Sequence, residues 1–503
     1  MMEHLPALVI VVPLLSALAA GMISWTRPTY CFPLALGALL VSAACALGLL
    51  FRAATQGPVE YFLGNWPPPV GIAYRVDTLA GLVVAAVTIS ALLNLWASRR
   101  QVAAEFQHKQ GAFYTLYLLA VVGLVGIVVT GDAFNLYVLL EITSLTGYAL
   151  VGMGQGRAPL AGLNYLIMGT IGACFYLLAI GYLYTATGTL NMLDLARLLP
   201  PMYHSSTVLI AFMLALVGLW VKMAFFPLHA WLPGAYSLAP SPAAGLLAPL
   251  MTKVMIYVML RLMITVFTPA YVFGVVGLSG AVVWLATAAI VAGALLALSA
   301  RDFRRMLTYI IIGEVGYMVG GAWLGNRLGM SGAILHIVND AFMTLCLFLA
   351  AGALAQRVSD LRLENFRGLF AKMPFTMGAL VVGALSIIGV PPTCGFFSKW
   401  YLILGGLEAG HYQFVAALIF SSLVSVVLFF RVFEHAFFHL DQSGHHEASG
   451  GHGGGHAVAA MAEAPVGAVL PLALSAAILV GLGFLTRELV VRFVLPALPP
   501  GVM

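Results

Sequence analysis

Lys222, Lys253 and Lys399 stand in segments otherwise fit for the interior of a bilayer: LALVGLWVKMAFFPLHAWLP, PAAGLLAPLMTKVMIYVMLR and LSIIGVPPTCGFFSKWYLIL. An ammonium at bilayer depth is costly, so such a side chain faces a partner or a wet cavity. Glu141 sits in a similar run, FNLYVLLEITSLTGYALV. Burial and neighbouring charges move the proton affinity of lysines and glutamates over a wide range. A row of such groups is suited to taking up and releasing protons, and the chain reads as an ion-translocating subunit.

Further polar groups lie on the same background. Glu314 is in IIIGEVGYMVGG, and His336 and Asp340 are in AILHIVNDAFMTLCLFLAAG. His336 and Asp340 are four residues apart and share a helix face. Imidazole titrates nearest neutral pH and suits a relay. A single histidine on an apolar helix more often serves packing, but Asn339 and two acids make this one part of a polar cluster.

Prolines stand near these lysines. Pro249, four residues before Lys253, disfavours the backbone bond to the Gly245 carbonyl and leaves an acceptor that water can reach. Pro227 follows Lys222 by five residues, with His229 just beyond it as an auxiliary candidate. Glu141, on another helix, is the counter-charge expected for Lys222. Pairing holds the ammonium charged, and drawing Glu141 away releases the proton. The competing reading is a static pair that only fixes helix packing. Buried pairs are weak sources of stability, and charges inside a membrane default to function.

These residues need a scaffold that crosses a bilayer many times. Of 503 residues, 62% are hydrophobic and 8% charged, where a soluble domain carries about 25% charge. Apolar windows of about 20 residues fall at 5–24, 30–51, 77–97, 112–130, 134–154, 160–185, 206–227, 242–267, 271–299, 304–324, 330–354, 376–404, 413–435 and 467–486. The expected fold is an all-α integral membrane protein of about fourteen transmembrane helices. The run from Leu5 has no basic segment before it and is followed by Arg27, so it reads as a retained first span rather than a cleaved signal.

Cys31, Cys45, Cys174, Cys346 and Cys394 are scattered without a CxxC spacing, which points to packing. Nothing in the chain suggests a nucleotide, flavin, iron–sulfur or quinone site, so no cofactor and no resident metal is expected. The net charge of +5 is no sign of nucleic acid. Loops after odd-numbered spans hold thirteen Lys and Arg, and the remaining loops and termini hold seven. The bias places the odd loops in the cytoplasm and both termini outside the cell membrane.

Two spans look broken: the seventh at Phe226-Pro227, and the twelfth at Gly389-Val390-Pro391-Pro392 with Gly395. Proline frees backbone groups that protein or water must satisfy. Interrupted helices five positions apart suggest two inverted five-helix repeats, spans 4–8 and 9–13. The implied organisation is 1–111 for spans 1–3, 112–440 for the repeats, 441–466 for a Gly/His-rich loop, and 467–503 for the last span and tail. The loop carries His445, His446, His452 and His456. A metal tract is one reading, but glycine runs supply no fixed ligand geometry, which favours a solvated loop. Asp302, Arg304 and Arg305 read as solvated orientation anchors.

The stretches TGDAFNLYVLLEITSLTGYAL, VKMAFFPLHAWLPGAYSLAPSPAAGLLAPLMTKVMIYVMLR, RDFRRMLTYIIIGEVGYMVGG, HIVNDAFMTLCLFLAAG and GVPPTCGFFSKW resemble the antiporter-like membrane subunits shared by complex I and Mrp-type cation/proton antiporters. The resemblance covers roughly residues 70–440. GDAFNLYVLLE and ENFRGLFAKMPFTMGALVVGALSIIGVPPTCGFFSKWYL look most like the Mrp D-type subunit. It implies fourteen helices, two inverted repeats and a hydrophilic axis across the membrane middle. On that axis Glu141 and Lys222 match the helix-5/helix-7 pair, Lys253 the central lysine, His336 the helix-11 histidine and Lys399 the terminal lysine. This sequence departs from the pattern at Thr344, where lysine is usual, and at Asp340, where a second histidine is usual. Glu314 stands for glutamine, serine or histidine, and Pro233-Gly234-Ala235-Tyr236 lacks the usual acid and histidine. The middle of the axis is therefore richer in acid, which bears on whether a cation such as Na⁺ is handled there.

Two functions follow from the resemblance. One is a proton-translocating subunit of a multisubunit Na⁺/H⁺ antiporter. The other is the pump module of a complex I-like NADH:quinone oxidoreductase or a membrane-bound hydrogenase. Either implies neighbouring membrane subunits as partners and the lipid bilayer as surroundings. A scaffold that has lost transport is a third reading, prompted by Thr344, and the retained Glu141, Lys222, Lys253 and Lys399 argue against it.

Overall fold

The computed structural model describes residues 2–358, 360–437 and 463–499. The Gly/His-rich stretch with its four histidines lies outside the described residues.

Among the described residues, twelve helices are long and apolar enough to cross a membrane. Two further spans are each broken into halves, Ser206–Lys222 with Trp231–Leu238 and Pro374–Ile388 with Cys394–Glu408, which completes fourteen. Several spans start where the sequence supplies a capping oxygen. Asp77 accepts from the Ala80 amide before the third span, Asp132 from Asn135 before the fifth, Asp302 from Arg305 before the tenth, and Asn326 from Gly329 before the eleventh.

The eighth span (Ser241–Val266) and the eleventh (Arg327–Leu354) are enclosed along their whole length, and the tenth (Phe303–Trp323) almost so. The first, sixth, ninth and fourteenth turn much of their surface outward. The lipid-like face is thus built from outer helices, and four titratable sequence candidates, Lys253, Glu314, His336 and Asp340, sit on the innermost ones. Cys174 is exposed on the sixth span, so the expected packing role holds for the four buried cysteines and not for it.

Loops gather at two opposite faces. At one, a hairpin pairs Val59–Phe62 antiparallel with Ala73–Val76 and reaches Thr130 through Tyr74. Loops after the second, fourth and sixth spans and the end of the eighth span line one cavity there, of about 270 Å³. At the other face Gln101 donates to the Gly352 carbonyl, and Arg304 reaches the Ala239 carbonyl and Ser241. The hairpin is an element that an all-α expectation left out. Two cations counted as loop charges are internal: Arg261 pairs with Asp77, and Arg304 lies back over the start of the eighth span. The solvated-anchor reading fails for Arg304 because the Ala239 carbonyl and the Ser241 hydroxyl lie within its reach, while Arg305 is exposed beside Tyr309.

Packing repeats at an interval of five spans. The fourth packs on the fifth and the eighth as the ninth packs on the tenth and the thirteenth. The same backbone clasp recurs. Ala133 donates to the Leu190 carbonyl and Met192 to the Gly131 carbonyl, while Phe303 donates to Leu361 and Leu363 to Arg301. Each clasp surrounds a capping aspartate, Asp132 or Asp302. Five crossings separate the two, so they lie at opposite faces, as inverted repeats require.

The breaks are sharper than the sequence windows. The seventh span stops at Lys222, and Ala224 adopts φ 57°, a left-handed conformation that costs a non-glycine residue strain. The twelfth stops at Ile388, and Gly389 takes φ 91°, which glycine adopts without that cost. A methyl group at Gly395 would overlap the Ser386 carbonyl, so only glycine lets the two halves pass this closely.

Candidate functional site

The candidate residues fall into linked clusters. At the end of the first half of the seventh span, Lys222 is 3% exposed. Its Nζ donates to Ser144 Oγ at 2.6 Å and Tyr148 Oη at 3.4 Å, and stands 4.0 Å from Glu141 Oε1. Glu141, Ser144 and Tyr148 share a face of the fifth span, being three and seven residues apart. The Glu141 side chain keeps 25% of its surface exposed. Part of this acid thus reaches the outer surface of the subunit, while its Oε1, towards Lys222, is buried.

The second cluster joins the two innermost spans. Lys253 Nζ lies 2.8 Å from Asp340 Oδ2 and donates to the Ala248 carbonyl at 3.3 Å and to Thr344 Oγ1 at 3.4 Å. Thr344 donates to Asp340 Oδ1 at 2.8 Å. Asp340 and Thr344, one turn apart on the eleventh span, therefore embrace the ammonium from the positions where the family pattern has histidine and lysine. The Ala248 carbonyl, not that of Gly245, is the backbone acceptor the lysine uses.

One turn back on the same span, His336 Nε2 meets Glu314 Oε2 at 2.5 Å, and its Nδ1 meets Ser398 Oγ at 2.8 Å. Ser398 is the chain neighbour of Lys399. Lys399 Nζ donates to the Ile387 carbonyl at 2.5 Å and to Ser422 Oγ at 3.2 Å, and lies 5.0 Å above the Tyr317 ring. Tyr317 also stands edge-on to His336 at 5.5 Å and bonds Ser421. The freed carbonyl at the broken end of the twelfth span is thus occupied by the lysine from its second half, as interrupted membrane helices require. Trp400, in contrast, is exposed, and stacks on Phe396.

The clusters around Lys253, His336 and Lys399 are continuous through the eleventh span and the Ser398–Lys399 step. From the Lys222 cluster, Tyr148 leads edge-on to Tyr165, which stacks on Trp231 in the second half of the seventh span. Among the described residues no hydrogen bond closes the remaining gap to Lys253. His229 stacks on Phe226 within the break at 5.2 Å and bonds no other axis candidate. Sequence reading missed Ser144, Tyr148, Tyr317, Ser398 and Ser422. Helical spacing from Glu141 and adjacency to Lys399 were the available signals for three of them.

Among the described residues no group of three or more His, Cys, Asp or Glu has the geometry to hold a metal. The site brings together ammonium, imidazole, carboxylate and hydroxyl groups, all of them able to give or take a proton.

Residues 130–425 match the family described as NADH:quinone oxidoreductase/Mrp antiporter, TM. The chain is 46% identical over 443 residues to an N-type membrane component of NADH-quinone oxidoreductase from Desulforudis audaxviator, covering 87% of each. It is 31% identical over 404 residues to the D-type component of a Na(+)/H(+) antiporter from Alkalihalophilus pseudofirmus, covering 80% of each. In structure it is similar to a chain of the membrane-bound sulfane sulfur reductase, an archaeal respiratory membrane complex, with TM-score 0.87 and 28% identity, over 98% of this chain and 96% of that one. The D-type likeness is therefore shared with N-type and respiratory subunits. On motifs, fold and sequence alike, the chain belongs to the NADH:quinone oxidoreductase/Mrp antiporter membrane-subunit family.

Proposed function

We propose that this chain is the proton-translocating subunit of a multisubunit monovalent cation/proton antiporter, relaying protons along Glu141, Lys222, Lys253, His336 and Lys399. The observation that carries the reading is the asymmetry of its pairs. Lys253, His336 and Lys399 are enclosed and each holds close hydrogen-bonding partners, while the Lys222 pair is loose and the Glu141 side chain is a quarter exposed. A partly exposed carboxylate in the membrane calls for a neighbouring subunit to cover it. Na⁺ is the cation of first choice by the antiporter relatives, and the acid-rich centre suits a positive cargo. The chain sits in the cell membrane with both termini outside, by its loop charges.

A second reading keeps the same relay and changes the driver: a complex I-like or hydrogenase-like assembly, favoured by the 46% identical relative. The deciding experiment purifies the intact assembly from its membrane, identifies the co-purifying subunits and measures proton flux in proteoliposomes. An imposed Na⁺ gradient drives protons under the first reading, and an electron donor drives them under the second. Flux unaffected by Lys222→Met and Lys399→Met would sink the relay under both.

A further inference from the structure

The eighth span carries a second ion pair, outside the axis. Arg261 is two turns beyond Lys253, about 12 Å along the helix, and Tyr257 stands halfway on the same face. Arg261 donates to both oxygens of Asp77, Nη1 to Oδ2 at 2.6 Å and Nη2 to Oδ1 at 2.8 Å. Its Nε and Nη2 also donate to the Tyr257 hydroxyl at 3.2 and 2.9 Å. That hydroxyl donates in turn to the Val128 carbonyl at 2.8 Å.

On one side of this knot opens the hairpin-face cavity of about 270 Å³, with Arg261 and Thr265 in its wall beside Glu60, Arg75 and Asp194. It is polar and large enough for several waters. On the other side, Tyr257 leads one turn further along the same face to Lys253. The bidentate pair therefore stands between a wet cavity and the central ammonium.

We propose that Arg261 and Asp77 form the gate of a water-lined route between the hairpin-face cavity and Lys253, with Tyr257 as the hydroxyl along it. The proposal rests on the reading of Lys253 as a proton carrier. A guanidinium keeps its proton at working pH, so Arg261 is a barrier and not a carrier. As a fixed cation in a narrow passage it repels other cations. When Arg261 leaves Asp77 and swings into the cavity, Tyr257 loses two donors and is free to bond water on the Lys253 side.

The test uses the whole assembly in proteoliposomes under an imposed pH gradient, with no driving cation or electron donor. Arg261→Ala and Asp77→Asn are expected to raise passive proton leak several-fold, and adding Lys253→Met is expected to remove that leak. Asparagine retains the capping oxygen that the third span uses, so Asp77→Asn decides the matter if Arg261→Ala does not assemble. Independently of transport, Leu260→Cys, at a buried position on the Lys253 side of the eighth span, should react faster with a membrane-impermeant thiol reagent from the hairpin face once Asp77→Asn is present. Unchanged leak and unchanged labelling would reduce the pair to a packing clamp and overturn the gate. A leak that survives Lys253→Met would overturn the route through that lysine. Normal driven flux in Lys253→Met alone would instead sink the carrier reading on which the gate rests.

Discussion

At Lys222 the counter-charge lies 4.0 Å away and keeps a quarter of its surface exposed, whereas at Lys253 it lies at 2.8 Å and is fully enclosed. Both lysines stand in the first five-span repeat, but Glu141 comes from that same repeat while Asp340 comes from the second, so the contrast lies in what each half supplies. Twelve residues after the clasp aspartate, the first half has Ser144 and the second has Glu314. The hydroxyl accepts from Lys222, while the acid takes His336. One half holds its ammonium by neutral hydroxyls and a distant acid, which a neighbouring subunit can pull on. The other encloses its charges with their partners and can change state only by passing a proton along. On the proposed function, opposite-facing copies of one architecture would thereby take the separate tasks of sensing and conducting.

The largest effect that tests this contrast is at the enclosed pair. Asp340→Ala should abolish flux and also destabilise the subunit by about 3–5 kcal/mol, because it strands a buried ammonium. Thermal unfolding of the purified assembly reads the stability, and adding Lys253→Met should restore much of it without restoring flux. Preserved stability in Asp340→Ala would show that the centre is as open as the outer pair.

Glu141→Gln should separate the two properties. Flux should fall to a small residue, while stability changes by no more than about 1 kcal/mol, as for a partly exposed pair. A large loss of assembly would mean that Glu141 holds helices together, and the comparison would collapse.

The finest probe is Thr344→Ala. It removes the hydroxyl that donates to Asp340 and accepts from Lys253, at a cost of about 1 kcal/mol. Flux should slow without stopping. Complete loss would place Thr344 among the proton-passing groups and not beside them.

Most of the scaffold was readable because a span needs only a long apolar run, and fourteen such runs are present. The proline-marked breaks were readable for the same reason, since proline frees backbone wherever it stands. The hairpin was not, because four-residue strands flanking Trp66 and three prolines give little periodic signal. Arg261 and Arg304 were miscounted as loop charges. A cation near a helix end looks the same in sequence whether it meets water or turns inward to an aspartate or a carbonyl. In the axis, the titratable residues stood out against an apolar background. Their pairing did not: that Asp340 serves Lys253 and Glu314 serves His336 depends on how the eighth, tenth and eleventh spans face one another. The hydroxyl partners Ser398 and Ser422 were hidden by being common residues in unremarkable places.

The two backbone clasps have a mechanical consequence. Each binds a pair of loops at one face and leaves the far ends of the same helices unbound by it. Were the halves to tilt, each would pivot on its clasp as a lever, with the two fulcrums on opposite sides of the bilayer. The interruptions after Lys222 and before Lys399 lie part-way along those levers. A small tilt of one half is converted there into sideways travel, in the reverse sense to the same tilt in its counterpart.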